Sequence, residues 1–210
     1  RLVVSKGHAG PAVYATLAHK GYFPESELYT LNKYGTNLPS HCDMNKTPGV
    51  DMTTGSLGQG LSCALGLALG SKIKNDNATI YAIIGDGESQ EGQIWEAAFF
   101  ASHKKLDNLI VFLDYNKMQL DGTLEEVNDS GNMYDKFKSF GFDTYSIDGH
   151  NIDEIIATIE KAKTVKGMPH MIVLNTIKGK GVSFAEAAKA NSHSMPISKE
   201  ALEEAIKELS

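Results

Sequence analysis

Beyond residue 79 the chain alternates short apolar runs with amphipathic stretches, the pattern produced when parallel strands with both faces covered are joined by crossover helices. Thr79–Ile84, Asn108–Asp114, Asp143–Ile147 and His170–Asn175 read as the strands. Helical spacing of apolar residues predicts helices over Gln90–Lys104, Met133–Phe140 and Ile152–Val165, the last capped by Asn151 or Asp153 and stopped at Gly167. Ser198–Leu209 reads as a closing helix, with Ser198 as its cap and Leu202, Ile206 and Leu209 on one apolar face. The expected fold is therefore α/β and three-layered: a mostly parallel sheet with helices on both faces.

The first part of the chain is different. Residues Arg1–Pro48 read as loop-rich, with short helices over Ala9–Lys20, ended by Gly21, and over Pro24–Leu31, where Pro24 suits a first turn. Gly, Asn, Pro and Ser in Tyr34–Gly49 predict a long ordered or functional loop. Leu57–Lys74 is apolar enough to raise the question of a membrane span. Gln59, Ser62, Ser71 and four glycines interrupt its apolar part, so it reads as a buried helix.

Composition narrows the possibilities. A chain of 210 residues suits one α/β domain over residues 1–210 and can bury a sizeable core; division into two domains is less favoured. With 26 acidic against 20 basic residues the formal charge is −6, and no basic run interleaves with aromatics, so neither nucleic acid nor membrane is an expected partner. The two cysteines, Cys42 and Cys63, lack the spacing of a disulfide framework or a zinc site, which suits a reducing cytoplasm. Nothing reads as a signal peptide, and Arg1 opens straight into an apolar run, as if an upstream segment were missing.

The first strand of the alternating part runs directly into Gly85-Asp86-Gly87-Glu88. Ligands of parallel sheets bind outside the carboxyl ends of the strands, and glycines there let backbone approach an anion closely while a carboxylate offers a hard oxygen. Asn116 and Met118 follow the next strand, one βαβ unit later, so Asp86 and Asn116 are expected at the same edge. A carboxylate oxygen, an amide oxygen and a main-chain carbonyl, completed by diphosphate oxygens and water, suit magnesium. Alone, the Gly-Asp-Gly reads more readily as a strand-to-helix turn with a capping Asp.

The longer stretch decides between these readings. Gly85-Asp86-Gly87-Glu88-Ser89-Gln90-Glu91-Gly92-Gln93-Ile94-Trp95-Glu96-Ala97, with Leu106-Asp107-Asn108-Leu109, Asp114-Tyr115-Asn116 and the turn Asp121-Gly122, resembles the thiamine diphosphate motif of transketolases. Thr53-Thr54-Gly55-Ser56-Leu57-Gly58-Gln59-Gly60 resembles the segment by which that family holds the cofactor through backbone groups at Gly55 and Leu57, with Ser56 between them. Small residues opening a helix would also expose amide donors and a positive dipole end to an anion. The related deoxyxylulose phosphate synthases and dehydrogenase α-chains differ around Glu91–Ala97 and around the metal-binding Asn.

The resemblance carries implications for individual residues. Gly85, Gly87, Asn116, Gly55, Ser56, Leu57 and His8 would contact thiamine diphosphate, and Asp86, Asn116 and Met118 would hold magnesium, or calcium in its place. His41 and His193 are the implied catalytic histidines, His193 also touching cofactor, although Asn191-Ser192-His193-Ser194 departs from the His-Gly pair of full-length members. Taken singly, a loop histidine is more often a surface group; imidazole nonetheless suits proton relay near neutral pH. Glu91 matches a glutamate of the family's subunit interface.

The similarity covers only the first third of a full-length transketolase, and Ile197–Ser210 resembles the natural end of an N-terminal subunit in the split type. A C-terminal subunit carrying the pyrimidine-binding domain and its glutamate is therefore the implied partner, in a homodimer of heterodimers. Sugar phosphates are the implied substrates, a two-carbon ketol unit passing from a ketose phosphate to an aldose. Half of a deoxyxylulose phosphate synthase, and a non-catalytic cofactor-binding assembly subunit, are the alternatives.

Overall fold

A computed structural model describes all residues from Arg1 to Ser210. The main sheet is built from β1 (Leu2–Val4), β2 (Ile80–Gly85), β3 (Leu109–Tyr115), β6 (Asp143–Asp148) and β7 (His170–Asn175), ordered β1-β2-β3-β7-β6 and parallel throughout. A small antiparallel hairpin, β4 (Met118–Gln119) and β5 (Gly122–Thr123), stands beside it, with Gly122 at φ +152° in the turn expected at Asp121-Gly122. The helices are α1 (Gly10–His19), α2 (Gln59–Lys74), α3 (Gly92–His103), α4 (Leu124–Val127), α5 (Met133–Ser139), α6 (Ile152–Thr164), α7 (Ser183–Ala188) and α8 (Lys199–Leu209).

Strand alternation divides the core in two. Leu109, Val111 and Leu113 of β3, with Ile80, Ala82 and Ile84 of β2, face a cluster that includes Leu61 and Ala64 of α2, Ile94 and Ala98 of α3 and Phe137 of α5. Ile110 and Phe112 point the other way, towards Ile172 and the α6 residues Ala162, Ile155 and Ile159. Helices thus cover both faces, as the hydrophobic pattern predicts. Trp95 stacks on Phe137 with ring centroids 5.0 Å apart and anchors α3 over α5. Asn151 is the cap of α6, accepting from Glu154 N at 3.2 Å, and Ser198 caps α8 in the same way through Ala201 N. Cys42 and Cys63 are both free, and no helix is long and apolar enough to cross a membrane.

Several boundaries differ from the sequence expectation for identifiable reasons. Leu2–Val4, read as loop, adds an edge strand to β2, with Val4 beside Ile83. The helix expected from Leu57 starts at Gln59 because Gly58, at φ +87°, is left-handed and lies outside any helix. Pro24–Leu31 forms a 3₁₀ turn over Glu25–Thr30; none of its residues is buried, so no packed face supports a longer α-helix. Gln90 falls in a separate 3₁₀ turn, Glu88–Gln90, because Glu91 is extended and α3 begins after it. The apolar face of α8 is formed as spaced, yet Leu202 and Ile206 remain about half exposed, at 52% and 55%.

Candidate cofactor site

Four parallel strands end at one edge of the sheet, and each delivers a polar segment there. β1 runs into Ser5-Lys6-Gly7-His8, β2 into Gly85-Asp86-Gly87-Glu88, β3 into Asn116, and β7 into Thr176-Ile177-Lys178. The register sets Gly85 beside Asp114 and Tyr115 beside Asn175, so these strand ends converge. Between them and the β4–β5 hairpin lies a cavity of about 240 Å³.

Of the residues singled out from sequence, His8, Leu57, Gly85, Asp86, Gly87, Asn116, Met118 and His193 line this cavity. His41, Gly55 and Ser56 do not. His41 packs behind it: a Cβ on Gly55 would lie 3.1 Å from the His41 ring, and one on Gly7 would collide with it. Gly55 itself has φ +141°, a backbone that side chains rarely adopt. Ser56 is exposed and accepts from Gln59 Nε2 at 3.1 Å, which steadies the opening of α2. His193 sits on a 3₁₀ turn, Lys189–Ser194, which brings its ring to 4.8 Å from that of His8.

The acidic side of the cavity is ordered by backbone amides. Asp86 is 2% exposed and accepts from Gly87 N at 2.8 Å and from Lys117 N at 2.5 Å. Asn116 Oδ1 accepts from Met118 N at 2.9 Å, folding the chain back so that Asn116 and Met118 both reach the cavity. Burial pushes the Asp86 carboxyl up to about 6; the two amides oppose the rise and the nearby charge of Asp114 adds to it.

The basic side joins His8 and His193 to two lysines, Lys6 and Lys178, that the motifs do not single out. Lys6 pairs with Asp114, which also accepts from Thr176 Oγ1 at 2.5 Å. Burial alone would raise Asp114, but the charge and hydrogen bond of Lys6 outweigh it and hold the carboxyl below its ordinary value. Lys178 lines the cavity and is lowered by burial and by Lys6. Partial burial, with Lys6, His193, Lys178 and His41 adding positive charge, lowers His8 to about 4, although the residue keeps a side open to solvent. His193 is lowered by burial, Lys178 and Lys6. Lys6 precedes His8 by two residues and Lys178 opens Lys178-Gly179-Lys180-Gly181, so proximity to a candidate histidine and to a glycine-rich turn is the only sequence signal either carries. The convergence of β1 and β7 makes them neighbours.

This donor set fits a hard cation bound together with an anionic ligand. Nowhere does the chain gather three or more His, Cys, Asp or Glu side chains able to hold a metal. One buried carboxylate and one amide oxygen leave most of an octahedral shell to a main-chain carbonyl, water and the ligand's own oxygens. Asp86 makes no ion pair, and Lys6, whose charge acts on it, is paired with Asp114.

Comparison with known proteins shows the family of the chain. The family described as "Transketolase, thiamine diphosphate binding domain" matches residues 1–210. The chain is 59% identical over 209 residues to the 6-deoxy-6-sulfo-D-fructose transketolase subunit SqwG of Clostridium sp. strain MSTE9, covering 100% of this chain and 76% of that protein. It is 38% identical to an apulose-4-phosphate transketolase subunit from Phocaeicola vulgatus, covering 100% of this chain and 74% of that one. The transketolase structure from Leishmania mexicana superposes with a TM-score of 0.91 at 30% identity, over 99% of this chain and 33% of the other. The chain therefore spans about three quarters of these subunits and a third of that solved transketolase. It belongs to the transketolase family, as the N-terminal portion that binds thiamine diphosphate.

Proposed function

We propose that this chain is the diphosphate-binding subunit of a split transketolase and that it transfers a two-carbon ketol unit from a ketose to an aldose once joined by a C-terminal subunit carrying the pyrimidine-binding domain. The observation that carries the reading is the pairing, across one cavity, of the Asp86–Asn116–Met118 oxygen donors with the cations and imidazoles of Lys6, Lys178, His8 and His193. Thiamine diphosphate, when bound, supplies the carbanion chemistry. The chain's own work is positioning. Asp86, Asn116 and the Met118 carbonyl hold the magnesium, for which calcium substitutes, and Lys6 and Lys178 offset the diphosphate charge. Gly85 and Gly87 let backbone approach the cofactor without side chains in the way, and the backbone of Gly55 and Leu57 reaches it from the turn before α2. His8 and His193, neutral at pH 7, offer N–H donors, and His41, beyond Gly55, attends the sugar oxygens.

The similarity to a 6-deoxy-6-sulfo-D-fructose transketolase subunit supports a sulfonated ketose as donor, in place of the ketose phosphates of the pentose phosphate pathway. Names of relatives that include "subunit" support a separate partner, and we extend this to a homodimer of heterodimers working in the cytoplasm. The test is to reconstitute the chain with its C-terminal partner and compare ketol transfer from 6-deoxy-6-sulfofructose and from fructose 6-phosphate. Calorimetric titration with thiamine diphosphate and Mg²⁺ accompanies it. Activity on the sulfosugar is expected; failure on every ketose overturns the transketolase reading, and preference for the phosphate overturns the donor assignment.

A further inference from the structure

Glu88 is an acidic side chain only 3% exposed, and every partner it has is a hydrogen-bond donor from the chain around the cavity. Its Oε1 accepts from Gly58 N at 2.8 Å and from the hydroxyl of Ser5, and its Oε2 accepts from Gly85 N at 3.0 Å. These donors stand 30, 83 and 3 residues away in sequence, on three segments that meet only in the folded chain. Each donor lies next to a cavity wall. Ser5 precedes Lys6 and His8, Gly58 follows Leu57, and Gly85 precedes Asp86.

The packing around the carboxylate leaves little freedom. Ser5 is fully buried and tied to β2 through its own N–H, which donates to Ile83 O at 2.8 Å. The start of α2 lies so close that a Cβ on Gly60 would collide with Ser5. Gly58, left-handed at φ +87°, opens α2 without a side-chain cap, so Glu88 supplies the acidic group at that helix end. A carboxylate accepts from several N–H and O–H groups at once, whereas an amide of the same size turns an NH₂ towards at least one of them.

We infer that Glu88 is a positioning residue: its carboxylate sets the spacing of the Ser5, Gly58 and Gly85 segments and so preorganises the cavity for the diphosphate end of the cofactor. The inference rests on the cavity's being the thiamine diphosphate site. It makes Glu88 a determinant of cofactor affinity that never touches the reacting atoms.

The experiment uses the chain assembled with its C-terminal partner. Glu88→Gln is expected to raise the dissociation constant of thiamine diphosphate with Mg²⁺, read by calorimetry, roughly 10- to 100-fold, while kcat at saturating cofactor stays near wild type. In the cofactor-free protein, hydrogen exchange at the Gly58 and Gly85 amides is expected to accelerate. Ser5→Ala, which removes one donor of the set, is expected to weaken binding less and to add little in the Glu88→Gln background. Phe137→Leu, in the core beneath Trp95, serves as a control that lowers the melting temperature without moving the dissociation constant. Equal binding by wild type and Glu88→Gln overturns the inference alone, as does an equal loss in Phe137→Leu. A wild type that binds no cofactor overturns the cofactor assignment and this inference with it. If Glu88→Gln does not fold, unchanged binding by Ser5→Ala overturns the inference.

Discussion

The two edges of the parallel sheet both carry acidic and basic side chains, but they use them differently. At the amino edge, each carboxylate is closed off by hydrogen-bond or ion-pair partners of its own. His170 is fully buried, with Nδ1 3.1 Å from Asp143 Oδ2 and Nε2 3.3 Å from the Asp107 carbonyl, while Tyr145 donates to Asp143 at 2.5 Å. Asp107 pairs with Lys72 at 2.5 Å and accepts from Gly167 N at 2.9 Å. At the carboxyl edge, Lys178, His8 and His193 face one another without a carboxylate partner, and Asp86 is buried without a cation. A fold tolerates such unpaired groups where a ligand completes them. The amino edge is closed by its own pairs; the carboxyl edge leaves groups that the proposed cofactor and cation would complete.

The strongest way to test this contrast is to exchange what each edge depends on. Asp86→Asn is expected to weaken cation-dependent binding of thiamine diphosphate by at least roughly 100-fold in calorimetry, with little change in the melting temperature of the cofactor-free protein. In the wild type the same binding is expected to weaken as pH falls through about 6, because protons then compete for the Asp86 carboxylate. Across the sheet, His170→Ala is expected to do the reverse, costing about 2 kcal/mol of stability by urea unfolding while leaving the cofactor dissociation constant unchanged. A loss of cofactor affinity in that variant would mean that the edges are coupled.

A smaller effect sharpens the electrostatics of the carboxyl edge. Lys178→Met is expected to weaken diphosphate binding about tenfold and to raise the titration midpoints of His8 and His193, followed by their ring-proton NMR shifts, since it removes a positive neighbour of both. The smallest effect is the pH dependence of the cofactor-free fold. His8 is held at about 4, below its unfolded value of about 6.5, so between these the unfolded chain binds more protons. The stabilisation His8 contributes is therefore complete above about pH 6.5 and is lost as pH falls towards 4. His8→Gln is expected to flatten that part of the urea-unfolding profile.

How much of this was legible can be judged strand by strand. The four longer strands were readable because alternate residues serve two different cores: Leu109, Val111 and Leu113 on one face, Ile110 and Phe112 on the other. Their ends fell within one residue of expectation. Leu2–Val4 was missed because three residues carry no period, and only pairing with β2 makes them a strand. Asp86 and Asn116 were legible because a sharp Gly-bounded turn after a strand has few other uses, and one βαβ unit separates them. Glu88 and Lys178 were not legible as site walls, since each matters through partners far along the chain or from a different strand.

The sequence by itself determined the four longer strands and the helices between them, their parallel arrangement and the edge at which the candidate site lies, because hydrophobic periodicity and glycine placement act over a few residues. Only the tertiary structure decided that His193 meets His8, that His41 stands behind Gly55 outside the cavity, and that one buried carboxylate, Glu88, ties three segments together. Those outcomes depend on distances between segments up to 185 residues apart (193 − 8), which are set by packing and hydrogen bonding over the whole sheet.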